Sequence, residues 1–234
     1  MFTPSAAWHD RFAEKDYPQE ARRVAALIRQ HQPGARMLLD VACGTGRHLE
    51  HLRHQFVCEG LDLNQELLEV ARQRLPGIRL THADMADFDL GRRFDAVICL
   101  SGSVGYLGTV ERLQTAVATM ARHLEPGGVL VVEAWLLPEA WSQAATTRVN
   151  VVEEDDQKLV RVIAGSRQDA LSVLRMHYVV ATAGEIVTAD ERHELRLFTQ
   201  DEYLGAFAAA GLQTTWDPKG LTGRGLLIGA AAIR

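Results

Sequence analysis

Residues Met37 to Leu52 read MLLDVACGTGRHLEHL, and their reading decides the fold. An apolar run, Met37 to Leu39, carries into Asp40 and then a turn of small residues, Ala42-Cys43-Gly44-Thr45-Gly46. Leu49 and Leu52 follow at helical spacing among polar residues. The pattern is a strand, a glycine turn and a helix start. Glycines permit positive φ and let a backbone approach a ligand closely. A helix start points unpaired N–H groups at whatever sits in the turn. The plain alternative is an ordinary tight turn between strand and helix.

Working outward, the same alternation repeats. Upstream, Ser5 to Glu20 reads as an irregular or short helical lead-in, and a helix from about Pro18 to Gln30 follows. Downstream, Phe56 to Leu63 is a strand ending near Asp62. A helix capped by Asn64 comes next, with Leu67, Leu68, Ala71 and Leu75 as its buried stripe. Ile78 to His82, Phe94 to Leu100 and Val129 to Trp135 are further strands, the last two continuously apolar as expected of a parallel sheet covered on both faces. From about 146 to 198 the pattern changes to apolar–polar alternation. Turn signals fall at Glu154-Asp155-Asp156, Arg167-Gln168-Asp169 and Ala183-Gly184, which predicts an antiparallel β insertion. A helix at Asp201 to Ala210 and two closing strands, about Leu212 to Trp216 and Leu226 to Ile233, complete the chain. The expectation is one α/β domain over residues 1–234, with a mostly parallel Rossmann-like sheet whose last strand is antiparallel.

Composition excludes several classes. The chain has 234 residues and a net charge of −5 with acid and base intermixed, so no basic stripe suggests nucleic acid. The N-terminus lacks a charged and then apolar leader, and no apolar run reaches membrane-spanning length. Cys43, Cys58 and Cys99 are odd in number and lack metal-ligand spacing, which predicts reduced thiols, no metal and a cytoplasmic setting. A homodimer is left open.

The glycine turn itself narrows the ligand. A P-loop needs Gly-Lys-Ser/Thr, and no Lys follows Gly46. The dinucleotide pattern G-x-G-x-x-G fails where Leu49 replaces the third glycine. Ligands of open α/β sheets lie beyond the carboxyl ends of the strands, and three acids fall at such ends: Asp40, Asp62 and Asp84. Each taken singly reads as an acidic cap of the next helix. Together, Asp62 suits two ribose hydroxyls, while Asp84 suits an adenine amino group with Met85 packed on the ring.

Asp40-x-Ala42-x-Gly44-x-Gly46 resembles motif I of class I S-adenosylmethionine (SAM) methyltransferases. That resemblance implies that Asp40, Ala42, Cys43, Gly44 and Gly46 hold the methionine part of SAM, with Asp62, Leu63, Asp84, Met85 and Leu100 around the nucleoside. A closer resemblance is carried by LLDVACGTGRHLEHL, DFDLGRRFDAVICLSGSVGYL, HLEPGGVLVVEAW, LFTQDEYLGAFAAAGL and GRGLLIGA. These segments are similar to the sugar N,N-dimethyltransferases of antibiotic biosynthesis, which methylate the amine of a TDP-linked deoxyamino sugar. The match Lys15-Asp16-Tyr17 implies that Tyr17 closes over the cofactor; packing of the lead-in helix is its other role. A Tyr- and Arg-containing stretch that precedes this match in the family is shortened here.

The acceptor then sits above the strands ending at Leu100 and Trp135. Ser101, Ser103, Tyr106, Glu133 and Trp135 come from those ends, and His177, Tyr178 and Arg196 from an insertion that roofs the pocket. Methyl transfer to an amine needs proximity, alignment and a free lone pair. His177 suits removal of an ammonium proton, or is a sheet histidine satisfied by neighbours. Glu133 and Ser103 complete the candidate catalytic set; Glu133 orients an amine or pairs with a nearby base. Arg224, between Gly223 and Gly225, suits a nucleotide phosphate or is a solvated turn residue. The expected activity is SAM-dependent methylation of a small molecule at a sugar amine, releasing S-adenosylhomocysteine. The alternatives are a small-molecule O-methyltransferase and a SAM-binding protein without turnover.

Overall fold

A computed structural model describes residues 8–12, 15–142, 146–154 and 156–233. Seven strands form the main sheet: β1 (Met37–Val41), β2 (Val57–Asp62), β3 (Arg79–His82), β4 (Phe94–Cys99), β5 (Leu124–Glu133), β10 (Gln213–Asp217) and β11 (Leu226–Ala230). Their order is β10-β11-β5-β4-β1-β2-β3. β1 pairs in parallel with β2 and β4, and β11 alone runs against its neighbours β5 and β10. The expected parallel sheet with an antiparallel last strand is present. β5 begins earlier than the apolar run suggests, at Leu124, with a register shift opposite Phe94 and Ala96.

The helices cover both faces because successive strand residues point to opposite sides. Leu38, Ala96, Ile98, Val129 and Val131 face α1 (Tyr17–His31), α2 (Arg47–Leu52) and α3 (Gln65–Arg74). Leu39, Val41, Val97, Leu130 and Val132 face α4 (Val110–Arg122) and α5 (Gln200–Ala209). Helix starts are fixed by side-chain caps: Asp16 accepts from Gln19 N–H, Asn64 from Leu67 N–H, and Thr199 with Glu202 forms a reciprocal capping box.

The insertion is a second, four-stranded antiparallel sheet in the order β6 (Arg148–Glu153), β7 (Gln157–Gln168), β8 (Leu171–Thr182) and β9 (Ile186–Arg196). A single 3-10 turn, His9–Phe12, represents the expected irregular lead-in. Its aromatic ring Phe12 packs on Tyr178 of β8 with centroids 5.8 Å apart. The parts of the lead-in at 1–7 and 13–14 lie outside the described residues, as does Asp155 of the first hairpin turn. Among the described residues, no helix is long and apolar enough to cross a membrane.

Candidate active site

The glycine turn at the end of β1 is held in a conformation that needs small residues. Ala42, Gly44 and Gly46 all have positive φ, at 59°, 54° and 77°. Cys43 N–H donates to the Leu61 carbonyl, so the turn stays hydrogen-bonded to β2 (2.9 Å). A Cβ on Gly46 would lie 2.5 Å from Leu75 Cδ1, whereas one on Gly44 would meet nothing within 4 Å. The turn is closed behind Gly46 and open above Gly44.

Two buried carboxylates flank that opening. Asp62 Oδ2 accepts the Gly44 N–H at 2.7 Å and Oδ1 accepts the Asn64 N–H at 2.8 Å. A carboxylate at this opening is an acceptor of the kind that suits hydroxyl donors. Asp40 is buried beside it, and its Oδ2 has no hydrogen-bond partner among the described residues. Burial, and then the Asp62 carboxylate, hold the Asp40 carboxyl well above the usual range, with Lys15 opposing. An orphaned buried acceptor beside an open turn fits a ligand carrying a cationic or N–H donor, as the amino-acid end of SAM does.

The other residues that the sequence assigns to the nucleoside follow the strand ends. Leu63 is exposed directly after Asp62, and Leu100 is buried after β4. Asp84 accepts from Ala86 N–H (2.8 Å) and from the Arg112 guanidinium (2.8 Å). Burial would raise its pKa, but these two partners outweigh it and hold the carboxyl low. Met85 packs half-buried beside it. Tyr17 lies edge-on to His48 (5.0 Å) with Arg47 over its face. Burial and then Asp10 push its phenol up to about 12. Tyr17 therefore does pack the lead-in helix against α2.

Below the acceptor space the chain builds a brace. Ser101 takes a φ of +59°, and its N–H donates to Glu133 Oε2 at 2.7 Å. The Thr222 hydroxyl donates to the other Glu133 oxygen. Glu133 is fully buried, with both oxygens engaged by the chain itself, so it braces the Ser101 turn rather than presenting a carboxylate to an amine. Ser103 donates its hydroxyl proton to the Leu100 carbonyl (2.8 Å), which is likewise turn-forming. Lys15 Nζ donates to Ser101 Oγ (2.9 Å) and pairs with Glu20 (2.9 Å). Arg224 stacks over Trp135 at 4.9 Å and reaches the Ser101 carbonyl (3.3 Å). Trp135 Nε1–H donates to Ser172 Oγ (2.9 Å), joining this floor to the insertion.

Above it, the face of the insertion turned toward the core carries Met176, Tyr178, Glu191 and His193, as β8–β9 register and strand parity require. Tyr106, six residues past Leu100, places its hydroxyl 2.8 Å from His193 Nδ1. His193 Nε2 is 3.2 Å from Glu191, which also accepts the Tyr178 hydroxyl at 3.0 Å. Tyr106 and Tyr178 are thus joined through His193 and Glu191, and Ser101, Arg224 and Trp135 form a second contact chain that reaches the insertion at Ser172.

Two expected site residues are not. His177 is one residue from Tyr178 and so points to the opposite face, where its Nδ1 meets Asp190 at 2.8 Å. It lines an outer groove of about 480 Å3 with Val162, Arg175 and Arg192. Its satisfied, sheet-surface role is the one that the geometry supports. Arg196 pairs with Glu202 at 3.0 Å and stacks on Phe198, tying β9 to α5. The histidine missed by sequence reasoning is His193, and a signal for it existed. A hairpin centred on Ala183-Gly184 puts Tyr178 beside Ala189, which places Glu191 and His193 on the Tyr178 face and His177 with Asp190 on the other.

Residues 38–128 match the family described as a methyltransferase domain. The chain is 45% identical over 220 residues to the dTDP-3-amino-3,4,6-trideoxy-alpha-D-glucopyranose N,N-dimethyltransferase of Streptomyces venezuelae, covering 93% of this chain and 92% of that one. It belongs to the sugar N,N-dimethyltransferases, which are SAM-dependent enzymes. A Streptomyces fradiae dTDP-3-amino-3,6-dideoxy-alpha-D-glucopyranose N,N-dimethyltransferase is 44% identical, over 92% of this chain and 85% of its own. The crystal structure of Streptomyces venezuelae DesVI superposes with a TM-score of 0.93 at 42% identity, covering 99% of this chain and all of that one. The SAM-bound amino pentose methyltransferase CalS10 of Micromonospora echinaspora gives 0.88 at 40% identity, over 99% and 98%. The enzyme's cofactor is SAM, and the coverage in both structures extends through the four-stranded insertion.

Proposed function

We propose that the enzyme methylates the amine of a nucleotide-linked amino sugar, with the glycine turn and strand ends binding SAM and the insertion covering the acceptor. The observation that carries this reading is the open glycine turn, flanked by an unsatisfied Asp40 oxygen and by Asp62; the insertion is tied to the neighbouring strand ends by Tyr106–His193 and Trp135–Ser172 hydrogen bonds. Bound at that turn, SAM supplies an electrophilic methyl group. Asp40 and the turn from Ala42 to Gly46 hold its amino-acid end. Asp62 accepts from the ribose, while Asp84, Met85, Leu63 and Leu100 surround the adenine. Tyr17 closes the edge of this cradle from α1.

Ser101, Tyr106, Trp135 and Tyr178 wall the acceptor space, and the buried Glu133 holds Ser101 in its positive-φ turn. Arg224 is the cation available for a nucleotide phosphate, since its guanidinium is stacked on Trp135 but has no carboxylate partner among the described residues. Three buried free thiols suit a reducing cytoplasm, and the net negative charge suits a small acceptor rather than nucleic acid.

Mass spectrometry after incubation with SAM and a panel of TDP-linked amino sugars, plain amines and phenols tests the reading. The expected result is a gain of methyl groups on a sugar amine in step with S-adenosylhomocysteine. Gain on a hydroxyl compound alone would replace it with O-methylation. SAM binding without turnover on any member would leave only the cofactor assignment.

A further inference from the structure

A protonated amine has no lone pair to methylate. Alkyl amines in proteins have ordinary pKa values of about 8 to 10, so a sugar amine is mostly ammonium at neutral pH. A second methylation requires that a proton be lost again. The cleft therefore needs a group that takes a proton at the acceptor nitrogen, and the side chains there can be taken in turn. Glu133 is fully buried beneath the Ser101 turn with each oxygen bonded by the chain, Ser103 gives its proton to a carbonyl, and Lys15 is itself a cation. His177 is on the far face, and Asp40 and Asp62 belong to the cofactor cradle. Tyr178 donates to Glu191. Tyr106, His193 and Glu191 remain.

Their hydrogen bonds have a direction. An ionised carboxylate only accepts, so His193 carries its proton on Nε2, toward Glu191 at 3.2 Å. Nδ1 is then the acceptor, and the Tyr106 hydroxyl donates to it at 2.8 Å. The lone pairs of Tyr106 oxygen are left for a donor from the cleft. Tyr106 is 45% exposed, while the His193 and Glu191 side chains behind it are 15% and 6% exposed. Of the three residues the tyrosine is the most exposed.

We infer that Tyr106, His193 and Glu191 form a proton relay that deprotonates the acceptor amine, an inference that rests on the N-methylation reading above. The ammonium N–H bond breaks with its electron pair staying on nitrogen, and the proton goes to Tyr106 Oη. The proton of that hydroxyl passes to His193 Nδ1 in the same exchange, so no free tyrosinate forms. The resulting imidazolium is stabilised by the Glu191 carboxylate and loses its proton to water before the next cycle. Part of the Tyr106 ring is exposed, but its hydroxyl is turned inward onto His193; burial there, then Glu191, Tyr178 and Asp62, raise the phenol pKa, which suits a group that hands on a proton rather than holding a negative charge. The other groups turned to this side of the insertion are Tyr178 and, from β7, Arg161, which is engaged with Asn150. Tyr106 is the catalytic residue; His193 and Glu191 act through it.

The test is the pH dependence of kcat from pH 6.5 to 9.5 for wild type, His193→Gln and Tyr106→Phe. The probe is dTDP-3-amino-3,4,6-trideoxy-alpha-D-glucopyranose, with SAM affinity measured alongside. Proton acceptors of this kind contribute on the order of 100-fold. Both variants should lose about 10- to 100-fold at pH 7 and recover to within about 3-fold at pH 9.5, where solution itself deprotonates the amine. SAM affinity should be unchanged. A loss of equal factor at every pH, a change in KM alone, or no loss would each overturn the relay while leaving N-methylation standing. Absence of amine methylation by wild type at any pH would instead overturn the functional reading and the relay with it. If His193→Gln does not fold, Tyr106→Phe decides, because it deletes one hydroxyl of a half-exposed residue and keeps the ring.

Discussion

Asp40 and Asp62 occupy equivalent strand ends but have opposite accounts with the fold. Asp62 ties β2 to the glycine turn through Gly44 N–H, so its side chain serves both the apo turn and the ligand. Asp62→Ala removes a charged acceptor from each. With hydrogen bonds to charged groups worth about 1.5–3 kcal/mol, SAM affinity measured by calorimetry should weaken on the order of 10- to 100-fold. Asp40 instead has an oxygen buried without a partner and a carboxyl whose pKa is raised by burial and by Asp62. A carboxyl with a raised folded-state pKa disfavours folding at pH values above it, because the unfolded chain ionises more readily. Asp40→Asn should therefore raise the urea midpoint of the free enzyme at pH 7 while weakening SAM on the order of 10-fold. A lower midpoint would mean that Asp40 is satisfied in the free protein. The trade of stability for affinity at one residue is what a binding site built from an unsatisfied acceptor entails.

At the scale of elements, the strand–turn–helix unit around Gly44 was legible because everything that forms it is local. The apolar run, the small residues and the helical spacing lie within sixteen residues, and the rest of the parallel sheet repeats that logic. Glu133 was not legible in its role, since its partners Ser101 and Thr222 lie 32 and 89 residues away. The insertion was legible as strands, yet its two faces depend on hairpin register, and a one-residue error exchanges His177 for its neighbours. Local strain gives one prediction here. Gly46→Ala puts a Cβ against Leu75 at a φ of +77°. Left-handed backbone alone costs about 1–2 kcal/mol, so the melting temperature should fall by roughly 4 °C or more. The α1–α2 contact gives another. His48 Nε2 lies 2.9 Å from Glu20, which also receives Lys15. Burial lowers the His48 pKa, so the unfolded chain takes up a proton that the folded one resists, and stability declines as pH falls below about 6.5. Burial would raise the Glu20 pKa, but the His48 and Lys15 hydrogen bonds outweigh it and lower it. Its stabilisation is therefore present above about 4.3 and is lost as pH falls through its folded value. His48→Gln should flatten the urea midpoint between pH 5 and 6.5 and leave the steeper acid fall below it.

At the scale of the molecule, the two sheets are joined through Trp135–Ser172 and Tyr106–His193, and the short lead-in touches both. Asp10 accepts from Thr45 Oγ1 at 2.6 Å and pairs with Arg74, which in turn donates to the Thr45 carbonyl. Arg11 pairs with Glu154 at 2.7 Å, and Phe12 lies between Tyr178 and Arg161. The cofactor turn is therefore braced from outside the parallel sheet, by a segment anchored on the insertion. A ligand that binds only this assembled state stabilises it by mass action, about 2.7 kcal/mol at a hundredfold excess over Kd. For a chain of this size that corresponds to a rise in melting temperature of roughly 5–10 °C with saturating SAM. Arg74→Ala removes the guanidinium bridge between the Thr45 carbonyl and Asp10, leaving the direct Thr45–Asp10 hydrogen bond and the cradle carboxylates in place. If the brace holds the turn ready for SAM, affinity should weaken about 10-fold, which is about 1.4 kcal/mol, and the SAM-induced rise should be roughly halved at the same concentration. Thermal shift across a SAM titration measures both quantities. An undiminished rise in Arg74→Ala would show that the turn keeps its binding form without the Arg74 bridge, leaving Asp62, Leu75 and the direct Thr45–Asp10 bond as the contacts that hold it.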